Sequence, residues 1–176
     1  MTARAAVGWA CLPAVDACQR INHPTTADAR AVVADFYAWY VPRQRDSAEF
    51  DMAALRQKPA LVSKSLAEAL RLDSAARAQS TNEVAGLDSD PFLNAQDPCE
   101  HYAPIGAIED NGRFLIGVLG TGGCGAHPIP DVTVEVTPTA GRLVFTNFIY
   151  SSGDRDNLVS TLADLAVARR LTKPEK

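Results

Sequence analysis

The stretch "YAPIGAIEDNGRFLIGVLG", Tyr102 to Gly120, decides how the 176-residue chain is read. Here the sequence period is two, the signature of a strand with opposite faces in different surroundings. Asn111-Gly112 interrupts it at the middle. Both residues tolerate positive φ, which a two-residue hairpin turn requires. The spacing therefore predicts two antiparallel strands joined at Asn111-Gly112. A second pair follows. In "DVTVEVTP" (Asp131 to Pro138), Val132, Val134 and Val136 alternate with Thr133, Glu135 and Thr137, a half-buried strand. "GRLVFTNFIY" (Gly141 to Tyr150) returns after "TAG", another hairpin.

Upstream of the strands the period is helical. "TTADARAVVADFYAWYVPRQ" places Val32, Val33, Phe36, Tyr37 and Tyr40 on one face. Thr25 and Asp28 form a variant capping box. Pro42 is expected to end the helix, because its ring cannot continue the ladder. "KPALVSKSLAEALRLDSAARAQS" reads as a second helix, with Pro59 in its first turn, Leu61, Val62, Leu66 and Leu70 on one face, and an end near Gln79. "DRDNLVSTLADLAVARR" closes the chain as a helix. Leu158, Leu162 and Leu165 form its stripe, and Arg169 and Arg170 suit its C-terminal end. Helices, antiparallel strands and a final helix make an α+β pattern. We divide the chain into an N-terminal segment (1–24), one α+β domain (25–171) and a short tail (172–176). The expected core joins Phe36, Tyr40, Leu66, Phe92, Leu93, Phe148 and Leu162.

Hydrophobic content of 47%, charged content of 22% and a net charge of −4 are those of an ordinary globular protein, with no basic stripe for nucleic acid. No apolar run is long enough to span a bilayer. The start, "MTARAAVGWACLPAVDAC", faintly resembles a leader. Arg4 precedes a short apolar run, and "VDAC" is close to a lipoprotein cleavage box apart from Asp16.

Charge is uneven. Ala78 to Gly112 holds no Lys or Arg but seven acids: Glu83, Asp88, Asp90, Asp97, Glu100, Glu109 and Asp110. Within it, "DSDPFLNAQDPCEHY" (Asp88 to Tyr102) is a loop with two Asp-Pro pairs. Such a segment either solubilises the fold or attracts a cation or a basic partner. Its oxygen-bearing residues are Asp88, Asp90, Asn94, Gln96, Asp97 and Glu100, and these are the candidate binding residues. They do not make an EF-hand, which wants Gly at position six and Glu at position twelve; Leu93 and Cys99 stand there. Phe92 and Leu93 are expected to plug the core, with Asn94 and Gln96 satisfying loop backbone.

The four cysteines are Cys11, Cys18, Cys99 and Cys124. Cys99 precedes the first strand and Cys124 follows the second, about equally far from the Asn111-Gly112 turn. Their Cα atoms therefore come within bridging range, ~5.5 Å. In a disulfide arrangement, Cys11–Cys18 would be the second, local pair. A rival arrangement is zinc held by Cys99, His101, Cys124 and His127, although neither Cys-x₂-Cys nor His-x₃-His is present. Free thiols are the third, and they would suit a cytoplasmic chain. "GTGGCG" (Gly120 to Gly125) matches G-x-G-x-x-G, but two prolines and a strand follow it where a dinucleotide site needs a helix. No cofactor is implied. Asp97 and His101 are the candidate acid–base residues, with Tyr37, Tyr40 and Tyr102 as further polar groups.

The order of pieces carries a resemblance. A helix ending "DFYAWYV", the loop "DPFLNAQD", a strand ending "NFIY" and a Leu-rich helix resemble a family of bacterial envelope proteins of unknown function, often secreted or lipid-anchored. Leu143 stands where that pattern has a Trp in the last strand. The resemblance implies a cystatin-like or NTF2-like cone, a curved antiparallel sheet packed by helices. It also implies a periplasmic or envelope location, and it favours disulfides over free thiols. It assigns no catalytic residue. The expected function is a non-enzymatic protein that binds a ligand or another protein in an accessory or immunity-type role. The alternative is a small-pocket isomerase or dehydratase with a carboxylate base.

Overall fold

The computed structural model describes residues 23–44, 50–79, 86–125, 128–150 and 156–171. Eight elements run in the order α1 (Thr26–Gln44), α2 (Phe50–Gln57), α3 (Lys64–Gln79), β1 (His101–Asp110), β2 (Arg113–Thr121), β3 (Val132–Thr139), β4 (Arg142–Tyr150) and α4 (Leu158–Leu171). The fold is α+β. Its strands form an open four-stranded antiparallel meander in sequence order.

Both hairpins fall where turn chemistry puts them. Asp110 pairs with Arg113 around Asn111 (φ 50°) and Gly112 (φ 77°). Thr139 pairs with Arg142 around Ala140 (φ 49°) and Gly141 (φ 74°). Two successive positive φ angles give the turn whose twist matches its strands. From these turns the register aligns Phe114 with Val136 and Ile116 with Val134. Phe114, Ile116, Val118, Val132, Val134 and Val136 therefore share one face, and all are buried. A bulge at Glu135/Val136 shifts β4, so that Phe148 opposes Val134 while Phe145 opposes Val136. The extra residue lets two phenylalanines three positions apart point the same way.

The helices close over that face. Phe36 lies at the centre of the core, stacked on Tyr40 (5.1 Å between ring centroids) and edge-on to Phe92 (5.6 Å) and Phe145 (5.1 Å). Phe92 meets Phe148 at 4.9 Å. All seven expected core residues are buried. Asp73 of α3, also buried, pairs with Arg77 one turn on and with Arg169 of α4, clamping the two helices together.

Helix starts and stops follow capping more closely than proline. At the start of α1, the Thr25 N–H donates to Asp28 Oδ2 (2.8 Å) and the Asp28 N–H to Thr25 Oγ1 (3.2 Å), the expected box. The expected stop at Pro42 is corrected: α1 runs on to Gln44. Proline removes one N–H here, but only in the last turn. Buried Tyr40 and Val41 hold that turn to the core, and the Arg43 guanidinium donates to the Trp39 carbonyl (2.7 Å). The start of α3 is corrected from Pro59 to Lys64. Leu61 and Ser63 are committed to β4: the Phe145 N–H donates to the Leu61 carbonyl (2.6 Å), and the Ser63 N–H to the Phe145 carbonyl (2.9 Å). Ser63 then caps α3 by accepting the Leu66 N–H on its hydroxyl. Helix α2 was not anticipated. It has eight residues, and buried Ala54 and Leu55 are too few to show a period. Leu158 and Leu162 of the α4 stripe are buried and Leu165 half-buried, while Arg170 donates to the Ala166 carbonyl. Cys11, Cys18, the leader-like start, Glu83, His127 and residues 172–176 lie outside the described residues.

Candidate functional site

The loop from Asp88 to Tyr102 is held from below by tyrosines. Tyr37 donates its hydroxyl proton to the Phe92 carbonyl (2.7 Å), Tyr150 to the Pro91 carbonyl (2.8 Å) and Tyr40 to Asp90 Oδ2 (2.9 Å). Asp90 is 1% exposed, and its other oxygen accepts the N–H groups of Phe92 (2.8 Å) and Leu93 (3.3 Å). The Asn94 N–H donates to the Asp90 carbonyl (2.8 Å), and Asn94 takes φ 51° to finish the turn. Phe92 and Leu93 are thereby driven into the core, as the sequence implies. The residue that organises the backbone is Asp90, however. Among the described residues, no side-chain bond of this kind is made by Asn94 or Gln96, which face solvent.

Burial sets the state of these phenols. It is the main cause that raises the Tyr37 hydroxyl well above its ordinary value, with the nearby Asp90 charge second. Burial likewise raises Tyr150, and it raises Tyr102 against the opposing hydrogen bond from the Cys99 N–H. Protonated phenols donate, and that is the role of Tyr37 and Tyr150 at the loop.

Cys99 and Cys124 stand at disulfide distance, with S–S 2.03 Å and Cα–Cα 5.2 Å. They sit just beyond the His101–Thr121 pair and close the open end of the β1–β2 hairpin. Gly120 explains why the connection begins with glycine. A Cβ there would lie 2.3 Å from Cys99 Sγ and 3.1 Å from the Tyr102 ring. Gly122 and Gly123 both take φ 77°, and the Glu100 N–H donates to the Gly122 carbonyl (2.8 Å). The glycine run thus builds a disulfide corner, and the next element is β3. A disulfide between them would leave neither sulfur as a thiolate for zinc. Among the described residues, no three metal-ligating side chains converge.

Of the candidate binding residues, Asp88, Asn94, Gln96, Asp97 and Glu100 are exposed, and Asp90 is interior. Beside this rim is a shallow cleft of about 200 Å³, lined by Glu100, His101, Tyr37, Tyr102 and the last turns of α1. His101 is exposed there, while Asp97 does not line the cleft, so the two candidate acid–base residues do not share it. Between helices and sheet lies the buried aromatic cluster built on Phe36. The buried carboxylate, Asp90, is engaged by three donors. What the site presents chemically is a braced acidic rim with a histidine at its edge. Residue type alone marked the rim. The tyrosine tethers beneath it pair residues 50 or more positions apart, and no local signal reports them. Among the described residues, no helix is long and apolar enough to cross a membrane. Comparison of the chain with protein-family models, with curated proteins and with solved structures finds no match.

Proposed function

We propose that this is a non-enzymatic binding protein of the bacterial cell envelope, and that its exposed acidic rim docks a basic partner. The reading rests on one observation: the loop spends its buried carboxylate, Asp90, on its own backbone and on Tyr40, while Asp88, Asp97 and Glu100 remain in solvent. A loop braced by three tyrosines and closed near the Cys99–Cys124 pair is pre-organised, which lowers the ordering cost of binding. Opposite charge on the partner speeds encounter and sets orientation.

A helix-packed antiparallel meander with a bulged strand is compatible with a cystatin-like or NTF2-like cone and with the envelope family that "DPFLNAQD" resembles. A cysteine pair at bonding distance suits an oxidising compartment. The alternative, an isomerase or dehydratase, needs a general base free to meet substrate in a pocket, whereas buried Asp90 is bonded to Tyr40 and to the Phe92 N–H. The test reverses charge at Asp88, Asp97 and Glu100 together, leaving Asp90 intact. Affinity capture from source-cell extract, beside a thermal melt, is expected to lose a specific basic partner with the melt unchanged. Unaltered capture refutes the rim as the docking face.

A further inference from the structure

A second cleft, of about 720 Å³, shares no residue with the acidic rim. Its volume lies in the range of ligand sites, ~300–1,000 Å³. The backbone exchange between residues 61–63 and β4 builds it. Val62 bridges Phe145 in parallel, which sets buried Val62 near buried Val144 as an apolar floor. Pro59 and Ala60 also line it, and the tip of the β3–β4 hairpin brings Arg142 to its rim along with Lys64.

The charge at this cleft runs against that of the molecule. The chain is net −4, yet no carboxylate among the described residues lines the cleft. Lys64 and Arg142 are both exposed and, among the described residues, form no ion pair. An apolar floor beside these two cations matches a ligand with a charged end and an apolar body. An alcohol leaves the cations unused, and a small anion leaves the floor wet. A guanidinium also holds a carboxylate through two parallel bonds.

We propose that this cleft binds an alkyl carboxylate, with the carboxylate between Lys64 and Arg142 and the chain over Val62 and Val144. The test is calorimetric titration with decanoate below its micelle concentration, alongside acetate and decyltrimethylammonium. The proteins are the wild type, a Lys64→Glu/Arg142→Glu variant, and Ala60→Trp, which fills the cleft from an exposed position. The expected result is one decanoate per chain, with affinity at least roughly tenfold lower in both variants. Unchanged melting curves show that each variant is folded, and a variant that melts early is replaced by Lys64→Gln/Arg142→Gln. No decanoate binding, equal binding by the charge-reversed protein, or equally tight binding of acetate or of the cationic amphiphile each overturns the proposal. The acidic rim is untouched in these variants, so failure here leaves the docking reading standing.

Discussion

Replacing Asp90 by Ala is the most informative perturbation of this fold. The carboxylate is buried and accepts from the Tyr40 hydroxyl at 2.9 Å, the Phe92 N–H at 2.8 Å and the Leu93 N–H at 3.3 Å. Removing an acceptor from a buried donor costs about 1–3 kcal/mol per donor. The Leu93 bond is long and counts for little, so the two short bonds dominate and the expected loss is about 3–5 kcal/mol. That is a large share of a stability of about 5–15 kcal/mol. With a urea slope of about 1–3 kcal/mol per molar, the midpoint falls by roughly 2 M. The assay is equilibrium urea unfolding followed by circular dichroism, without reductant. Asp97→Ala, an exposed acid in the same loop, is the control and is expected within about 0.5 kcal/mol of wild type. Tyr40→Phe is expected to cost about 1–2 kcal/mol, and less than that in the Asp90→Ala background, because the two share one bond. A loss below about 1 kcal/mol for Asp90→Ala, or an equal loss for Asp97→Ala, refutes the claim that Asp90 organises the loop.

Phe92→Ala removes a fully buried ring that meets Phe36, Tyr40 and Phe148, and is expected to cost about 3–5 kcal/mol in the same assay; a loss below about 1 kcal/mol sinks the plug. The Cys99→Ala/Cys124→Ala variant opens a loop with a sequence separation of 25, and is expected to lose about 3 kcal/mol. Proteolysis and mass analysis of the non-reduced wild type should yield the two cysteine peptides linked, and two free thiols would withdraw both the bridge and the envelope location it supports. Gly120→Ala sets a Cβ against Cys99 Sγ, so its penalty should shrink in the double-alanine background; an unchanged penalty there would locate the clash elsewhere. Tyr37 and Tyr150 keep their protons in the fold above the ordinary tyrosine value of 10.0, whereas the unfolded chain releases them. Their contribution is therefore complete below pH ~10 and is lost as pH rises beyond it. Tyrosinate absorbance should appear together with unfolding, and tyrosinate formed in full before unfolding would contradict the buried tethers.

Local chemistry in the sequence was enough to place the two hairpins, because Asn111, Gly112 and Gly141 answer a backbone requirement at the turn itself. Val132, Val134 and Val136 announced the buried face for a similar reason: a period of two survives whatever packs against it. Helix boundaries were less legible. Whether Pro42 stops a helix depends on Tyr40 and Val41 being buried, and whether Pro59 starts one depends on β4 capturing residues 61–63 first. Those are long-range competitions for backbone groups, invisible in a local window. The acidic loop divides in the same way. Its charge, its apolar pair and its equidistant cysteines could be read directly. Only the tertiary structure decided that Asp90 turns inward while Asp88 and Asp97 do not, because the donors that compensate its burial include a tyrosine 50 residues away. The cleft between Lys64 and Arg142 had no trace in the sequence at all, since residues 78 positions apart become neighbours only when the chain folds.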